Sequence, residues 1–269
     1  MIWLEILVLA IVQGIAEFLP VSSSGHIVVG QALFDELGQT MDDKLTVSIV
    51  LHVGTLLAIL VFYWRRIWGL LGQDRRLIGL LIVGSIPAAV VGLGIKLSPY
   101  NDAIEEAVFK SPLLAGLMFP VTGLLLLWTA RNQGGETICR DLGYGRALLI
   151  GVFQAFAILP GISRSGTTIV AGLTLGLRRD EAATFSFLLA IPAIGGAGLL
   201  ETVKLVKDGA DSTPLAALAL GAAVSFAVGL VSLFWLVRCV EQGRLYRFAW
   251  WVIPLGVVVI AWQLFPRMF

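Results

Sequence analysis

Residues 2–38 read IWLEILVLAIVQGIAEFLPVSSSGHIVVGQALFDELG, an apolar region split near its middle by Pro20-Val21-Ser22-Ser23-Ser24-Gly25-His26. Residues 146–177 repeat the design: RALLIGVFQAFAILP, then GISRSGTTIVAGLTLGL. Each half of either region is about 15 residues long, which at ~1.5 Å per residue falls short of a ~30 Å hydrocarbon core. A hairpin that enters the bilayer, turns and leaves by the same face fits this length. Irregular backbone at such depth is tolerated only where protein or a water-filled cavity surrounds it.

The rest of the chain agrees with a membrane setting. Of 269 residues, 58% are hydrophobic and only 14% charged, against roughly 25% charged in soluble domains. Uninterrupted apolar runs at 46–64, 77–97, 111–130, 181–200, 214–237 and 248–266 read as spanning helices. The expected fold is therefore an all-α integral membrane protein, with two re-entrant helical hairpins and six transmembrane helices in one membrane domain over 1–269. No cleavable leader is expected, because Glu5 interrupts the first apolar stretch and no basic segment precedes it. A net charge of +1 gives no reason to expect nucleic acid as a partner. Cys139 and Cys239 lie beside arginine-rich loops and read as reduced thiols.

The two broken regions align without gaps at an offset of 141, pairing Gln13 with Gln154, Ser22 with Ser163, Ser24 with Ser165 and Gly25 with Gly166. Farther on, an offset of 138 pairs Thr46, Ser48 and Leu51 with Thr184, Ser186 and Leu189. Chance similarity between Gly/Ser/Leu-rich segments is the plain alternative. Against it, each half (1–130 and 146–266) holds one hairpin and three spans. An odd number of crossings starts the second half on the opposite face, giving an inverted-topology repeat whose broken helices meet near the midplane. In that topology every arginine except Arg164 and Arg267 falls on one face, and every lysine on the other. The positive-inside rule makes the arginine face cytoplasmic and puts both termini outside.

Opposed hairpins would bring together Gln13, Glu17, Ser22, Ser23, Ser24, Gly25 and His26 with Ser163, Arg164, Ser165, Gly166, Thr167 and Thr168. An ionisable side chain at membrane depth costs about 2.5–3.5 kcal/mol on insertion scales and marks a functional site. Helix starts after each turn leave positive N–H groups that attract phosphate. Arg164 can fork onto phosphate oxygens. A carboxylate such as Glu17 beside an anion calls for a hard cation, Mg²⁺ or Ca²⁺, between them. Blander readings exist for each: a structural Glu17–Arg164 ion pair, a core histidine at His26, serines as helix glue. The combination favours a phosphate site. His52 and Glu5 lack such company and read as structural.

At PVSSSGH and PGISRSGTT the sequence resembles the undecaprenyl pyrophosphate phosphatases, the bacitracin-resistance family. QGIAEFLPVSSSGH, FYWRR, IPAAVVG and FSFLLAIP extend that resemblance over nearly the whole chain. It implies hydrolysis of C55 undecaprenyl pyrophosphate to the monophosphate in the bacterial inner membrane, on its outward face, recycling the carrier for cell-wall synthesis. It also implies bacitracin resistance, since bacitracin competes by sequestering the substrate; a homodimer is left open. By motif position, Glu17, Ser23, His26 and Arg164 match the family's essential residues, and Ser22, Ser163, Ser165 and Thr168 its supporting ones. Many members carry a second carboxylate where this chain has Gln13, which offers a metal only a neutral carbonyl.

One mechanism has Ser23 attack the terminal phosphorus with His26 as base, while Arg164 and the helix start at Ser165 and Gly166 stabilise charge. The other makes His26 the nucleophile. A lipid flippase or secondary transporter is the rival from another class, because inverted repeats around a midplane anion site are transporter architecture. A second lipid-phosphatase class sharing SGH and SR fragments needs a further histidine after the SR motif, and only His26 and His52 exist here.

Overall fold

A computed structural model describes residues 2–36, 45–72, 74–132, 134–208 and 214–265. Lys44 and Arg267, both assigned to the lysine-bearing face, lie outside the described residues, as do the ends of the 2–38 and 248–266 segments.

Helices begin where a turn residue hands over to an apolar run. The first pair is α1 (Ile2–Ala16) and α2 (Ser23–Glu36), broken at the Pro20 turn. Then come α3 (Leu45–Phe62), α4 (Trp64–Leu70), α5 (Arg75–Leu97), the short α6 (Asn101–Ile104) and α7 (Pro112–Trp128). The second pair is α8 (Tyr144–Phe156) and α9 (Arg164–Thr174), followed by α10 (Arg179–Asp208), α11 (Leu215–Glu241) and α12 (Ala249–Leu264). All the apolar runs are helical. Four helical segments are long and apolar enough to cross a membrane, or six when each bent pair counts as one span. Val90, Leu124 and Val231, at 65%, 63% and 71% exposure, show an outer surface that is apolar and fits lipid rather than water. This is a multi-pass membrane protein.

Two charged connections between the long apolar runs are helical. The WRR stretch forms α4, bent 75° from α3, and the acidic loop forms α6 and a π turn over Glu105–Phe109. Local charge hides such short helices from a hydropathy reading.

Small residues set the closest approaches. A Cβ on Gly151 of α8 would overlap the Gly84 carbonyl of α5, so only glycine permits this contact. Between them and the core, Phe18, Phe119, Phe185 and Phe187 are almost fully buried. The α8–α9 hairpin is closed at its base: Gly135 N–H donates to Leu177 O and Thr137 N–H to Gly176 O, both at 3.1 Å, and Arg178 N–H to Thr137 O at 3.0 Å.

The same end of the molecule gathers the arginines. Arg66 Nη2 donates to both oxygens of buried Glu181 at 2.8 Å. The Cys139 amide donates to Glu181 Oε2 at 2.6 Å. Arg76 donates to the Arg140 and Leu142 carbonyls at 3.0 and 3.1 Å, and Arg179 Nη1 to Glu241 O at 3.2 Å. Glu181 thus ties α4, the 139–142 loop and α10 together. Both cysteines are free. Burial, and then the hydrogen bond and charge of Glu181, push the Cys139 thiol well above its ordinary pKa. The thiolate, which is the reactive form, is therefore scarce through neutral and mildly basic pH. Maleimide labelling of Cys139 at pH 8 should run at least about tenfold slower in the folded protein than in detergent-unfolded chain, a difference read by peptide mass spectrometry.

Candidate active site

Both turns use one capping scheme. Ser22 Oγ accepts from Gly25 N–H at 3.3 Å and Ser163 Oγ from Gly166 N–H at 3.2 Å. Ser22 Oγ lies 3.4 Å from Ser24 Oγ, and Ser163 Oγ 3.3 Å from Ser165 Oγ. His26 N–H reaches Ser22 O at 3.2 Å, and Thr167 N–H reaches Ser163 O at 2.9 Å. Each pair is related by the offset of 141 seen in the sequence. Ser23 and Arg164 consequently hold the same position, the first residue after the cap.

The turns are in contact. Gly161 N–H donates to Ser22 Oγ at 3.1 Å. Thr122 of α7 donates to Gly161 O at 2.7 Å and accepts from Ser163 N–H at 3.1 Å. Gly161 sits at φ +93°, where a Cβ would overlap the Ala115 carbonyl. Ser22 itself takes φ +67°, a left-handed conformation that costs a non-glycine residue about 1–3 kcal/mol and clusters at functional sites.

Glu17 and Arg164 form the centre. Arg164 Nη2 lies 2.8 Å from Glu17 Oε1, with side-chain exposures of 17% and 9%. Gln13 Nε2 donates to Glu17 Oε2 at 3.2 Å. Arg164 Nη1 is buried without a partner among the described residues, so half of the guanidinium fork is uncommitted. His52, set aside in the sequence reading as structural, reaches the same carboxylate: its Nε2 lies 4.0 Å from Glu17 Oε2.

His26 stands on α2. Its Nδ1 is 2.8 Å from Ser22 O, which can only accept, and its Nε2 is 3.1 Å from Trp251 Nε1, which can only donate. These partners fix a neutral imidazole with the proton on Nδ1. Phe119 packs edge-on at 5.1 Å. Ser23 is half-buried and has no hydrogen bond to His26. Thr168 hydroxyl bonds Arg164 O at 2.8 Å and Ser186 of α10, so it braces α9 from behind the turn. Buried Thr167 Oγ1 has no partner among the described residues. Thr122 and Trp251 carry no local pattern that would have singled them out.

The chain matches the family model described as bacitracin resistance protein BacA over residues 6–258. This protein belongs to that family. It is 51% identical to the undecaprenyl-diphosphatase of Rhodopirellula baltica over 258 residues, covering 96% of each chain. It is 40% identical to undecaprenyl-diphosphatase 4 of Bacillus cereus over 264 residues, 97% of each. It is 43% identical to the undecaprenyl-diphosphatase of Desulfosudis oleivorans over 274 residues, 94% of this chain and 96% of the other. These relatives are named for hydrolysis, which disfavours the flippase reading.

Removing one partner of a buried ion pair strands the other and costs about 3–5 kcal/mol. Glu17→Ala should lower thermal stability in detergent by that order. The double variant Glu17→Ala/Arg164→Ala should recover at least half of the loss, as measured by thermal unfolding.

Proposed function

We propose that this BacA-family protein hydrolyses undecaprenyl diphosphate to undecaprenyl phosphate and inorganic phosphate. The unpaired Nη1 of Arg164, beside two helix starts and a carboxylate, carries the reading. A buried cation that lacks a partner on half of its fork is built for an anion with several oxygens. The first-turn N–H groups of Ser23, Ser24, Arg164 and Ser165 are used by neither cap and add donors of the same sign. Gly25 and Gly166 keep the approach to these groups narrow, packing on Gly161 and Pro20 respectively.

In this scheme Ser23 Oγ attacks the terminal phosphorus, its proton passes to His26 Nε2, and the bond to the bridging oxygen breaks, releasing undecaprenyl phosphate. Water then cleaves the phosphoserine. Arg164 stabilises the charge spread over the transferring oxygens, the main catalytic contribution in phosphoryl transfer. A second reading makes His26 the nucleophile. The fixed Nδ1–H tautomer supports it, because the lone pair a nucleophile needs is then on Nε2.

A divalent cation fits the residues present. Glu17 Oε2 has only the Gln13 amide at hydrogen-bond distance, and the Gln13 carbonyl oxygen has no partner among the described residues. One anionic and one neutral oxygen suit Mg²⁺ or Ca²⁺, which typically join few protein oxygens to phosphate. When bound, such an ion offsets charge between Glu17 and the diphosphate.

The membrane arrangement belongs to the same proposal. The duplicated capping geometry supports an inverted repeat over 1–130 and 146–266. The hydrogen bonds joining 135–137 to 176–178 support re-entry of the second hairpin, and the first is its counterpart. With the arginine end cytoplasmic, the site opens outward from the bacterial inner membrane, where bacitracin competes for the lipid.

The test is phosphate release from C55 diphosphate by purified protein in detergent. Arg164→Ala should lower turnover about 10²–10³-fold, scored per folded molecule because the change also strands Glu17. No release by the unaltered protein would refute the function. Rapid acid quenching separates the nucleophiles: a phosphoserine adduct survives acid, whereas a phosphohistidine adduct does not.

A further inference from the structure

His52 is remote in sequence from both turns, yet α3 carries its imidazole to the side of Glu17 away from Arg164. Glu17 and His52 line a pocket of about 180 Å³ whose other walls are Ala193, Ile194, Ala197 and Gly198 of α10. Among the described residues they are the only polar side chains that line it.

The other nitrogen of the ring fixes what faces Glu17. His52 Nδ1 lies 2.8 Å from Ser48 O, an atom that only accepts, so Nδ1 carries a proton. Nε2 then presents a lone pair to a carboxylate oxygen 4.0 Å away. Two acceptors facing each other inside a low-dielectric region repel. A cation between them removes the conflict, and the choice is a proton on Nε2 or a metal ion.

Three observations favour the metal. An imidazole whose second N–H goes to a backbone carbonyl is the arrangement that metal-bound histidines adopt. With metal–ligand bonds of about 2.0–2.2 Å, two ligands of one ion sit about 3.0–3.5 Å apart at ordinary coordination angles, so the 4.0 Å separation needs to close by less than about 1 Å to hold an ion. The pocket has room for the ion and for water completing its shell. No cluster of three His, Cys, Asp or Glu side chains occurs among the described residues, which leaves positions open for phosphate oxygens.

We propose that His52 Nε2 and Glu17 Oε2 jointly hold one divalent cation, so that His52 supplies the ligand that Gln13, a neutral amide, supplies weakly. The inference rests on the reading of Glu17 as the carboxylate that binds the cation. An imidazole ligand suits borderline transition ions and not Ca²⁺. The imidazole therefore adds affinity for a transition ion such as Mn²⁺ and adds little for the Mg²⁺ or Ca²⁺ that the oxygen ligands already suit.

Pulsed electron paramagnetic resonance of Mn²⁺ bound to the purified protein in detergent tests this directly, because the chain has only two histidines. The unaltered protein should show coupling to a histidine nitrogen. The coupling should persist in His26→Gln and vanish in His52→Gln. Titration should show Mn²⁺ affinity falling about 10–100-fold in His52→Gln, with Ca²⁺ affinity changing far less. Retained coupling in His52→Gln, or coupling lost only in His26→Gln, would overturn the proposal. So would the absence of Mn²⁺ binding together with a doubly protonated His52 in ¹⁵N spectra, the signature of an imidazolium ion pair. Phosphate release from the lipid diphosphate is scored separately. Mn²⁺ bound through His52 without any release sinks the phosphatase reading and leaves the metal site, whereas release without nitrogen coupling does the reverse.

Discussion

Backbone amides at the two turns have no helix or sheet to satisfy them, and their burial within the protein leaves no water in exchange. The hydroxyl of Ser22 meets this demand on both sides of the molecule, accepting from Gly25 in its own turn and from Gly161 in the other. Thr122 does similar work for Gly161 O and the Ser163 amide. An unsatisfied amide in hydrocarbon costs several kcal/mol, so each turn is stable only against its counterpart. The polar side chains carried by the turns are brought together by this shared need.

Charge follows from that placement. With the turns locked, Gln13 and His52 lie at Oε2 of the Glu17 carboxylate, and Glu17 and Arg164 pair through Oε1. Their pairing neutralises both but leaves one arm of the guanidinium open. The pair carries no net charge of its own, so an entering diphosphate adds negative charge that a divalent cation at Glu17 would offset. Ser22 in a left-handed conformation and Gly161 at φ +93° show where backbone strain is held to keep the turns tight.

Much of this was legible in the residues. Long apolar runs dictate helices because nothing else satisfies the backbone in lipid, and the 141-residue offset places Ser22 and Ser163 in matching roles. Glu17 and Arg164 stand out as ionisable residues within apolar segments, each beside a polar turn. Other features were hidden for a physical reason. His52 sits on an apolar α3 with no motif around it, and its approach to Glu17 depends on how α3 packs beside α1 and α10. Trp251 reads as one more interfacial aromatic until α12 is seen against α2. The 75° bend between α3 and α4 accompanies the pairing of Arg66 with Glu181, a contact across 115 residues.

The indole of Trp251 has a consequence for turnover. Its N–H occupies the one nitrogen of His26 able to take up a proton. That nitrogen is therefore blocked in this conformation and comes free only when the ring swings away. Over half of Trp251 is exposed on the apolar outer surface. Whatever lies against that surface can therefore decide whether the imidazole is free, which makes the readiness of the site depend on its surroundings beyond the two turns.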